Sequence, residues 1–333
     1  MPTETEPVDA KPVDAKPVDA EPVDAKPPGP PVLAGIGDEA ALGIEEQLAA
    51  VTALGWRSIE LRTVDGTPLA ELSEAAFDRV VGALAHTGVS VVAVDARIGG
   101  WARSAAGDFT DDLDELAVLE RRCARLGTRF VRVMSFPAGG LDADAWEREA
   151  LRRMRVLAAR ADAAGLTLLH ENCSGWAGAD ADRTVRLLEA AGPGLGLLFD
   201  TGNGPAHGYD GHDLLRRLLR HVDRILHVHI KDAVLGPDGR PRYCEPGAGT
   251  LRVAESLRLL LAHGYGGALS IEPHIAVRPH ENHRDSADQC HAAFLRCGMA
   301  LRRLLDSVAA PPPAPPGTPA PDATTPALPE PAR

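Results

Sequence analysis

Three acidic residues and a pair of histidines end apolar runs in the second half of this chain. Glu171 ends LTLLHE, Asp200 ends LGLLFD, His227 and His229 lie in ILHVHI, and Glu272 follows ALSI. The spacings between Glu171, Asp200, His229 and Glu272 are 29, 29 and 43 residues. Each is close to one strand, one helix and their loops, so parallel strands would bring these side chains to one edge of a sheet.

Such a cluster predicts a cation. Three carboxylates and one imidazole that face one another in a site of low dielectric repel, and a divalent ion removes the repulsion. A set of oxygen and nitrogen donors without thiolate favours Mn, Mg or Co over a structural zinc, and Zn is possible as well. Any one of these residues alone could equally be a hydrogen-bonded polar group at a strand end.

The core repeats one pattern: an amphipathic helix, a glycine and a short apolar strand, as in ALAHTGVSVVAV and ADAAGLTLLHE. Strands are predicted near 32–37, 57–62, 89–95, 129–135, 166–171, 195–200, 225–231 and 267–272. Eight strands that alternate with helices predict an α/β fold, the (β/α)8 TIM barrel. A doubly wound open sheet is the competitor, and it is disfavoured because no Gly-x-Gly-x-x-Gly follows the first strand.

Helix signals support this assignment. In the second helix Ser73 is the predicted N-cap, and Phe77, Val80 and Leu84 recur on one face. Thr250 is the predicted N-cap of the seventh helix. Both helices are expected to pack outside the sheet.

Proline is concentrated at the two ends of the chain. Of 28 prolines, nine fall in residues 1–31, where Pro-Val-Asp-Ala occurs four times, and ten fall in residues 309–333. Such segments cannot bury enough apolar surface to offset the entropy of ordering them. We expect disordered tails at 1–31 and 309–333 around one catalytic barrel domain at 32–308.

Composition excludes several classes of protein. A net charge of −12 with 4% aromatic residues argues against a nucleic-acid partner. No apolar run is long enough to span a bilayer, and the N-terminus lacks the pattern of a signal peptide. Five cysteines without a Cys-x-x-Cys pair fit a reducing compartment. These features predict a soluble, cytoplasmic protein without a membrane partner, and a homo-oligomer is left open.

Five segments carry a resemblance to a known family. They are HEN at 170–172, FDTGN at 199–203, HVHIKD at 227–232, GAG at 247–249 and IEPH at 271–274. With them the chain resembles the sugar phosphate isomerase/epimerase superfamily, also described as xylose isomerase-like TIM barrels. The resemblance spans the core, and the last four strands are its specific part.

The resemblance implies a site and a reaction. The metal ligands would be Glu171, Asp200, Glu272 and His229, the last because the family motif places the ligating histidine just before the Lys-Asp pair. Glu171 and Glu272 would also serve as the catalytic acid and base. The implied activity is isomerisation or epimerisation of a small sugar or polyhydroxylated carbonyl compound through a metal-stabilised enediolate.

Four further residues are candidates for substrate binding. Lys231 is the only lysine of the core, since the other three lie in the N-terminal segment, and a compact ammonium there suits a substrate oxygen. Asn203 follows Asp200 and could bind a hydroxyl, although some relatives carry histidine there. Arg62 could bind a carboxylate or phosphate, with a salt bridge to a neighbouring strand as the alternative. His274 lies in a loop above the barrel, beside residues 275–286, which form either a lid or a solvated loop.

Three alternatives stay open. A dehydratase of a keto-inositol or a dehydroshikimate-like acid could use the same metal site, because loss of a β-hydroxyl follows from the same enediolate. Phosphodiester cleavage is disfavoured, because no histidines end strands two and three. A non-catalytic barrel scaffold, with tails that recruit partners, is the competitor from a different class.

Overall fold

Eight parallel strands form the centre of the molecule. The computed structural model describes residues 29–237 and 239–309. The strands are β1 (Val32–Gly35), β2 (Ser58–Leu61), β3 (Ser90–Asp95), β4 (Phe130–Ser135), β5 (Thr167–Gly175), β6 (Leu195–Asp200), β7 (Ile225–Ile230) and β8 (Ala268–Ile271). All eight lie where the repeated pattern of amphipathic helix, glycine and apolar strand predicts them.

The strands follow one another around a ring. From β2 to β8 each strand pairs in parallel with the next one in the chain, and β8 pairs with β1, from Ala268 opposite Val32 to Ile271 opposite Gly35. A single bridge between Ile36 and Glu60 joins β1 to β2. The predicted TIM barrel is therefore confirmed, and the carboxyl ends of all eight strands open on one face.

Helices cover the outside of the ring. They are α1 (Ile44–Ala53), α2 (Glu74–Thr87), α3 (Thr110–Leu126), α4 (Ala143–Ala163), α5 (Ala181–Ala191), α6 (Gly211–Leu218), α7 (Val253–Ala262) and α8 (Ala287–Ala309). Two-stranded hairpins lie above the barrel, among them Asp232–Leu235 with Pro241–Cys244, and Val277–Arg278 with His283–Arg284. Among the described residues, no helix is both long and apolar enough to span a bilayer.

The two predicted helix caps have different outcomes. The Ser73 hydroxyl accepts a hydrogen bond from the backbone N–H of Ala76 at 3.2 Å, so this cap is confirmed. The Thr250 prediction is wrong, because α7 begins at Val253. Thr250 donates both its N–H and its hydroxyl to the carbonyl of Ala233, which ties it to the neighbouring hairpin.

The two proline-rich segments fall almost entirely outside the described residues, which end at residue 309 and begin at residue 29. Their predicted disorder, and the domain boundaries at 32 and 308, stay predictions.

The outer face of β1, packed against α8, tolerates no added atoms, which gives a test of the packing. A Cβ atom on Gly35 would lie 2.6 Å from Phe294 of α8 and 2.8 Å from Ile271 of β8. We expect Gly35→Ala to lower the free energy of unfolding by about 1–3 kcal/mol, because both neighbours are fully buried.

Gly82 of α2 is the control, since a Cβ atom there meets nothing within 4 Å. Gly82→Ala should raise the free energy of unfolding by about 0.5–1 kcal/mol through helix propensity. Urea denaturation measures both changes. Equal effects of the two substitutions would contradict this description of the packing.

Candidate metal centre

The structure brings the four predicted ligands together at the open face of the barrel. Glu171 belongs to β5, Asp200 ends β6, His229 belongs to β7 and Glu272 follows β8. One ligand atom from each lies within 4.8 Å of those of the other three, and all four side chains are buried. The strand ends thus place three carboxylates and one imidazole around a common point.

Several atoms of this cluster converge on one point. His229 Nδ1 lies 3.3 Å from Glu272 Oε2, 3.7 Å from Asp200 Oδ2 and 3.9 Å from Glu171 Oε1. Within the described part of the chain, Asp200 Oδ2, His229 Nδ1 and Glu272 Oε2 make no hydrogen bond of standard geometry, and the two carboxylate oxygens lie against the ammonium of Lys231. Two carboxylate oxygens and an imidazole nitrogen that converge on one point fit a divalent cation. Carboxylate oxygens with one imidazole suit Mg, Mn, Co or Zn.

A buried glutamate orients the histidine. Glu60 of β2 lies across the barrel from β7, with Oε1 at 3.0 Å from His229 Nε2 and Oε2 at 2.9 Å from His227 Nε2. Burial would raise the pKa of Glu60, but both histidines outweigh it and hold that pKa well below its ordinary value. An ionised Glu60 only accepts, so Nε2 of His229 carries the proton and Nδ1 faces the cluster.

Lys231 reaches into the same cluster. Because β7 ends at Ile230, Lys231 turns inward, and its Nζ lies 2.7 Å from Glu272 Oε2 and 3.1 Å from Asp200 Oδ2. Nζ also donates to Asn203 Oδ1 at 3.1 Å. Burial would lower the pKa of Lys231, yet Asp200 and Glu272 raise it well above its ordinary value. The side chain is therefore a buried ammonium that offsets part of the acidic charge.

Glu272 is held on its outer side by Arg62. Nη1 of Arg62 donates to Glu272 Oε1 at 2.9 Å, and its other nitrogens bind Asp38 and Glu39. His274 is positioned by Glu39, whose Oε1 lies 2.9 Å from Nδ1. Burial would raise the pKa of Glu272, but Lys231, His274 and His229 lower it well below its ordinary value.

Glu171 has separate supports. Asn203 Nδ2 donates to its Oε1 at 2.7 Å, and Arg132 of β4 places Nε 3.4 Å from its Oε2. The same Nε lies 3.3 Å from Asp95 at the end of β3. Burial raises the pKa of Asp95 to about 7, although Arg132 acts in the opposite direction. Glu272 and Glu171 thus each form an ion pair with a different arginine.

A cavity of about 680 Å³ opens beside the cluster. Arg62, Asp95 and Arg132 line it, so it meets the cluster through the side chains that hold Glu272 and Glu171. Of the residues predicted to bind substrate, Arg62 lines this cavity while salt-bridged to three acids. Asn203, Lys231 and His274 are buried behind the cavity, against the metal ligands.

Sequence reasoning missed most of these supporting residues. Glu60 lies on β2 two residues before Arg62, and the sequence pattern assigns no role to it, nor to Arg132, Asp95 or Glu39. One signal was available: His227 and His229 alternate on a strand, so both face the barrel interior and require a buried acceptor opposite them. The partners of Arg132 depend on which side chains reach across neighbouring strands, and the spacing of residues in the sequence does not reveal these contacts.

Comparisons with known proteins agree with this geometry. An inosose dehydratase of Bacillus licheniformis is 32% identical over 144 residues, which are 38% of this chain and 46% of that enzyme. The chain thus spans less than half the length of this curated relative.

Two solved structures share the fold. A 3-keto-D-glucoside 4-epimerase from E. coli has a TM-score of 0.60 at 19% identity, with 83% of this chain and 99% of that chain covered. A xylose isomerase-like TIM barrel protein from Mycobacterium smegmatis, in complex with magnesium, has a TM-score of 0.57 at 18% identity, with 83% and 97% covered.

The family comparison covers most of the chain. The sequence profile described as "xylose isomerase-like TIM barrel" matches residues 48–294, which include all four candidate ligands and seven of the eight strands. This chain therefore belongs to the xylose isomerase-like TIM barrel family.

Proposed function

We propose that this protein is a divalent-metal-dependent isomerase or epimerase of a small sugar or polyhydroxylated carbonyl compound. One observation carries the proposal. Two glutamates, Glu171 and Glu272, flank the ligand cluster, and a different arginine supports each of them. Paired carboxylates on two sides of one metal site suit a reaction that removes a proton at one place and returns it at another.

The ligand set supports metal dependence. A divalent ion bound by Glu171, Asp200, His229 and Glu272 would polarise a carbonyl and its neighbouring hydroxyl, and so lower the pKa of the adjacent C–H. Mg, Mn and Co suit the oxygen-rich set, and Zn is compatible with it. The convergence of one ligand atom from each of these four residues within 4.8 Å is the structural support for such an ion.

The surroundings of Glu272 suit a general base. Arg62 holds Oε1 through a hydrogen bond, while Oε2 faces the cluster beside the Lys231 ammonium. The neighbouring cations hold the pKa of Glu272 well below its ordinary value, so the carboxylate is ionised at neutral pH, which is the form a general base requires, although the same cations weaken it as a base. Glu171, held by Asn203 and Arg132, takes the complementary role.

A dehydratase is the second candidate. Its support is the similarity to an inosose dehydratase over 144 residues, together with the buried ammonium of Lys231. Loss of a β-hydroxyl is assisted by a cationic hydrogen-bond donor to the departing oxygen, and Lys231 is such a donor in contact with two of the candidate ligands.

One experiment separates the two reactions. The purified protein is loaded with Mg, Mn, Co or Zn and incubated in D₂O with a panel of ketoses, aldoses and inososes. Nuclear magnetic resonance then detects exchange of the C–H beside the carbonyl, and mass spectrometry weighs the product. A product that gains deuterium and loses no water supports the isomerase or epimerase, and loss of water supports the dehydratase. If neither C–H exchange nor loss of water occurs with any substrate of the panel and any metal, the result counts against both candidate functions.

Glu272→Gln tests the acid/base assignment. The amide cannot accept the substrate proton, so we expect kcat to fall by about 10²–10⁴-fold while the far-ultraviolet circular dichroism stays that of the wild type. Glu45→Gln, at an exposed position of α1, is the control and should leave kcat unchanged. Wild-type turnover by the Glu272 variant would refute the mechanism.

Glu60→Gln tests whether Glu60 orients the metal ligand. The glutamine is neutral and has one acceptor oxygen in place of two, so the charge-assisted hydrogen bonds that hold both Nε2–H groups are weakened, and with them the tautomer that presents Nδ1 of His229. We expect the dissociation constant of the divalent ion, measured by calorimetry, to rise about 10–100-fold.

The matched control is Glu115→Gln, another buried glutamate, which binds Arg103 away from the metal cluster. It should bind the ion as the wild type does. Equal weakening in both variants would show that loss of a buried charge, and not the orientation of His229, is responsible.

A further inference from the structure

We infer that the cavity beside the metal centre binds a substrate with an anionic group, a carboxylate or a phosphate, and that Arg284 is the residue that holds this group. The inference rests on the proposed function, because it specifies the substrate class of the same site. The evidence is the charge pairing around the cavity wall.

Arginines dominate the charged lining of the cavity. Five of them face it: Arg62, Arg97, Arg103, Arg132 and Arg284. Four are paired with carboxylates of the protein. Arg62 binds Asp38, Glu39 and Glu272, Arg97 binds Glu71, Arg103 binds Asp112 and Glu115, and Arg132 lies against Asp95 and Glu171. Their positive charge is already compensated.

Arg284 is different. It belongs to the hairpin of Val277–Arg278 and His283–Arg284, and it forms no ion pair with a carboxylate of the described residues. Its Nη1 donates to the backbone carbonyl of Asp38 at 2.8 Å, which anchors the half-buried side chain at the wall. The Asp38 carboxylate itself is occupied by Arg62 and Thr63. The other guanidinium N–H groups are available to a ligand.

The acids that line the cavity do not cancel this charge. They are Asp38, Asp95 and Asp111. The first two are paired with Arg62 and Arg132. Asp111 is exposed in the first turn of α3, where the partial positive charge of the helix N-terminus stabilises it. One half-buried cation is therefore left for a ligand.

A guanidinium in this setting selects planar or tetrahedral anions. Its fork of N–H donors matches two oxygens of a carboxylate or a phosphate, and such charge-assisted hydrogen bonds are among the strongest in proteins. The cavity volume of about 680 Å³ suits a small charged metabolite. With the anion at Arg284, the opposite end of the substrate lies toward Arg62 and Arg132, beside the catalytic glutamates.

The test compares matched charged and neutral ligands. Metal-loaded protein is titrated by calorimetry, at constant ionic strength, with D-fructose and D-fructose 6-phosphate, and with D-glucose and D-glucuronate. We expect the charged member of at least one pair to bind at least ten times more tightly. Arg284→Gln should reduce that ratio to about one, and Arg284→Lys should retain part of it.

Arg97→Gln is the matched control. It removes an arginine from the same cavity, but one that is paired with Glu71, so the ratio should stay within about twofold of the wild type. A preference for the phosphate identifies a sugar phosphate, and a preference for the uronate identifies a sugar acid. Thermal unfolding checks that each variant is folded, and the lysine variant replaces the glutamine variant if the latter is not.

Three outcomes overturn the inference: equal binding of charged and neutral ligands by the wild type, an unchanged ratio in Arg284→Gln, or an equal loss in Arg97→Gln. These outcomes are independent of turnover. Selective anion binding without C–H exchange would count against the proposed reaction and leave the anion site intact. C–H exchange without a preference for the charged ligands would count against the anion site and leave the proposed reaction intact.

Discussion

Compensation of buried negative charge is the constraint on which the open face of this barrel depends. Seven buried acids gather there: Asp38, Glu39, Glu60, Asp95, Glu171, Asp200 and Glu272. Three cationic side chains contact six of them, namely Arg62, Arg132 and Lys231. Burial of an unpaired carboxylate costs several kcal/mol, so the neighbouring histidines matter as well, and a divalent ion at the candidate centre would supply further positive charge.

This constraint explains why each supporting residue serves more than one acid. Arg62 links the loop after β1, through Asp38 and Glu39, to Glu272 after β8. Arg132 links Asp95 on β3 to Glu171 on β5. Glu60 is a single acid that binds two basic side chains, the histidines of β7, from across the barrel. Glu171 and Glu272 are consequently positioned by side chains from other strands of the ring, Arg132 of β4 and Arg62 after β2.

Local features of the sequence were sufficient for the fold and for the cluster. The strands, the glycine stops and the Ser73 cap each depend on a few adjacent residues, and the strand ends align the four ligand candidates automatically once the barrel closes. Contacts across the barrel were not predictable in the same way. Glu60 and His229 are 169 residues apart and Arg62 and Glu272 are 210 apart. Thr250 failed as a cap because Ala233, in another element, binds the same groups.

Lys231 connects the two candidate reactions. Glu272 has a pKa well below its ordinary value, so on its own it is a poor proton donor.

The ammonium of Lys231 lies 2.7 Å from Glu272 Oε2, and because Asp200 and Glu272 hold its pKa well above the ordinary value, it stays charged and acts as a hydrogen-bond donor. In the proposed isomerase or epimerase it would stabilise negative charge that develops on a substrate oxygen, and in a dehydratase it would donate a hydrogen bond to the departing hydroxyl. Under either proposal, the position of the substrate's β-hydroxyl relative to Lys231 would decide which reaction follows.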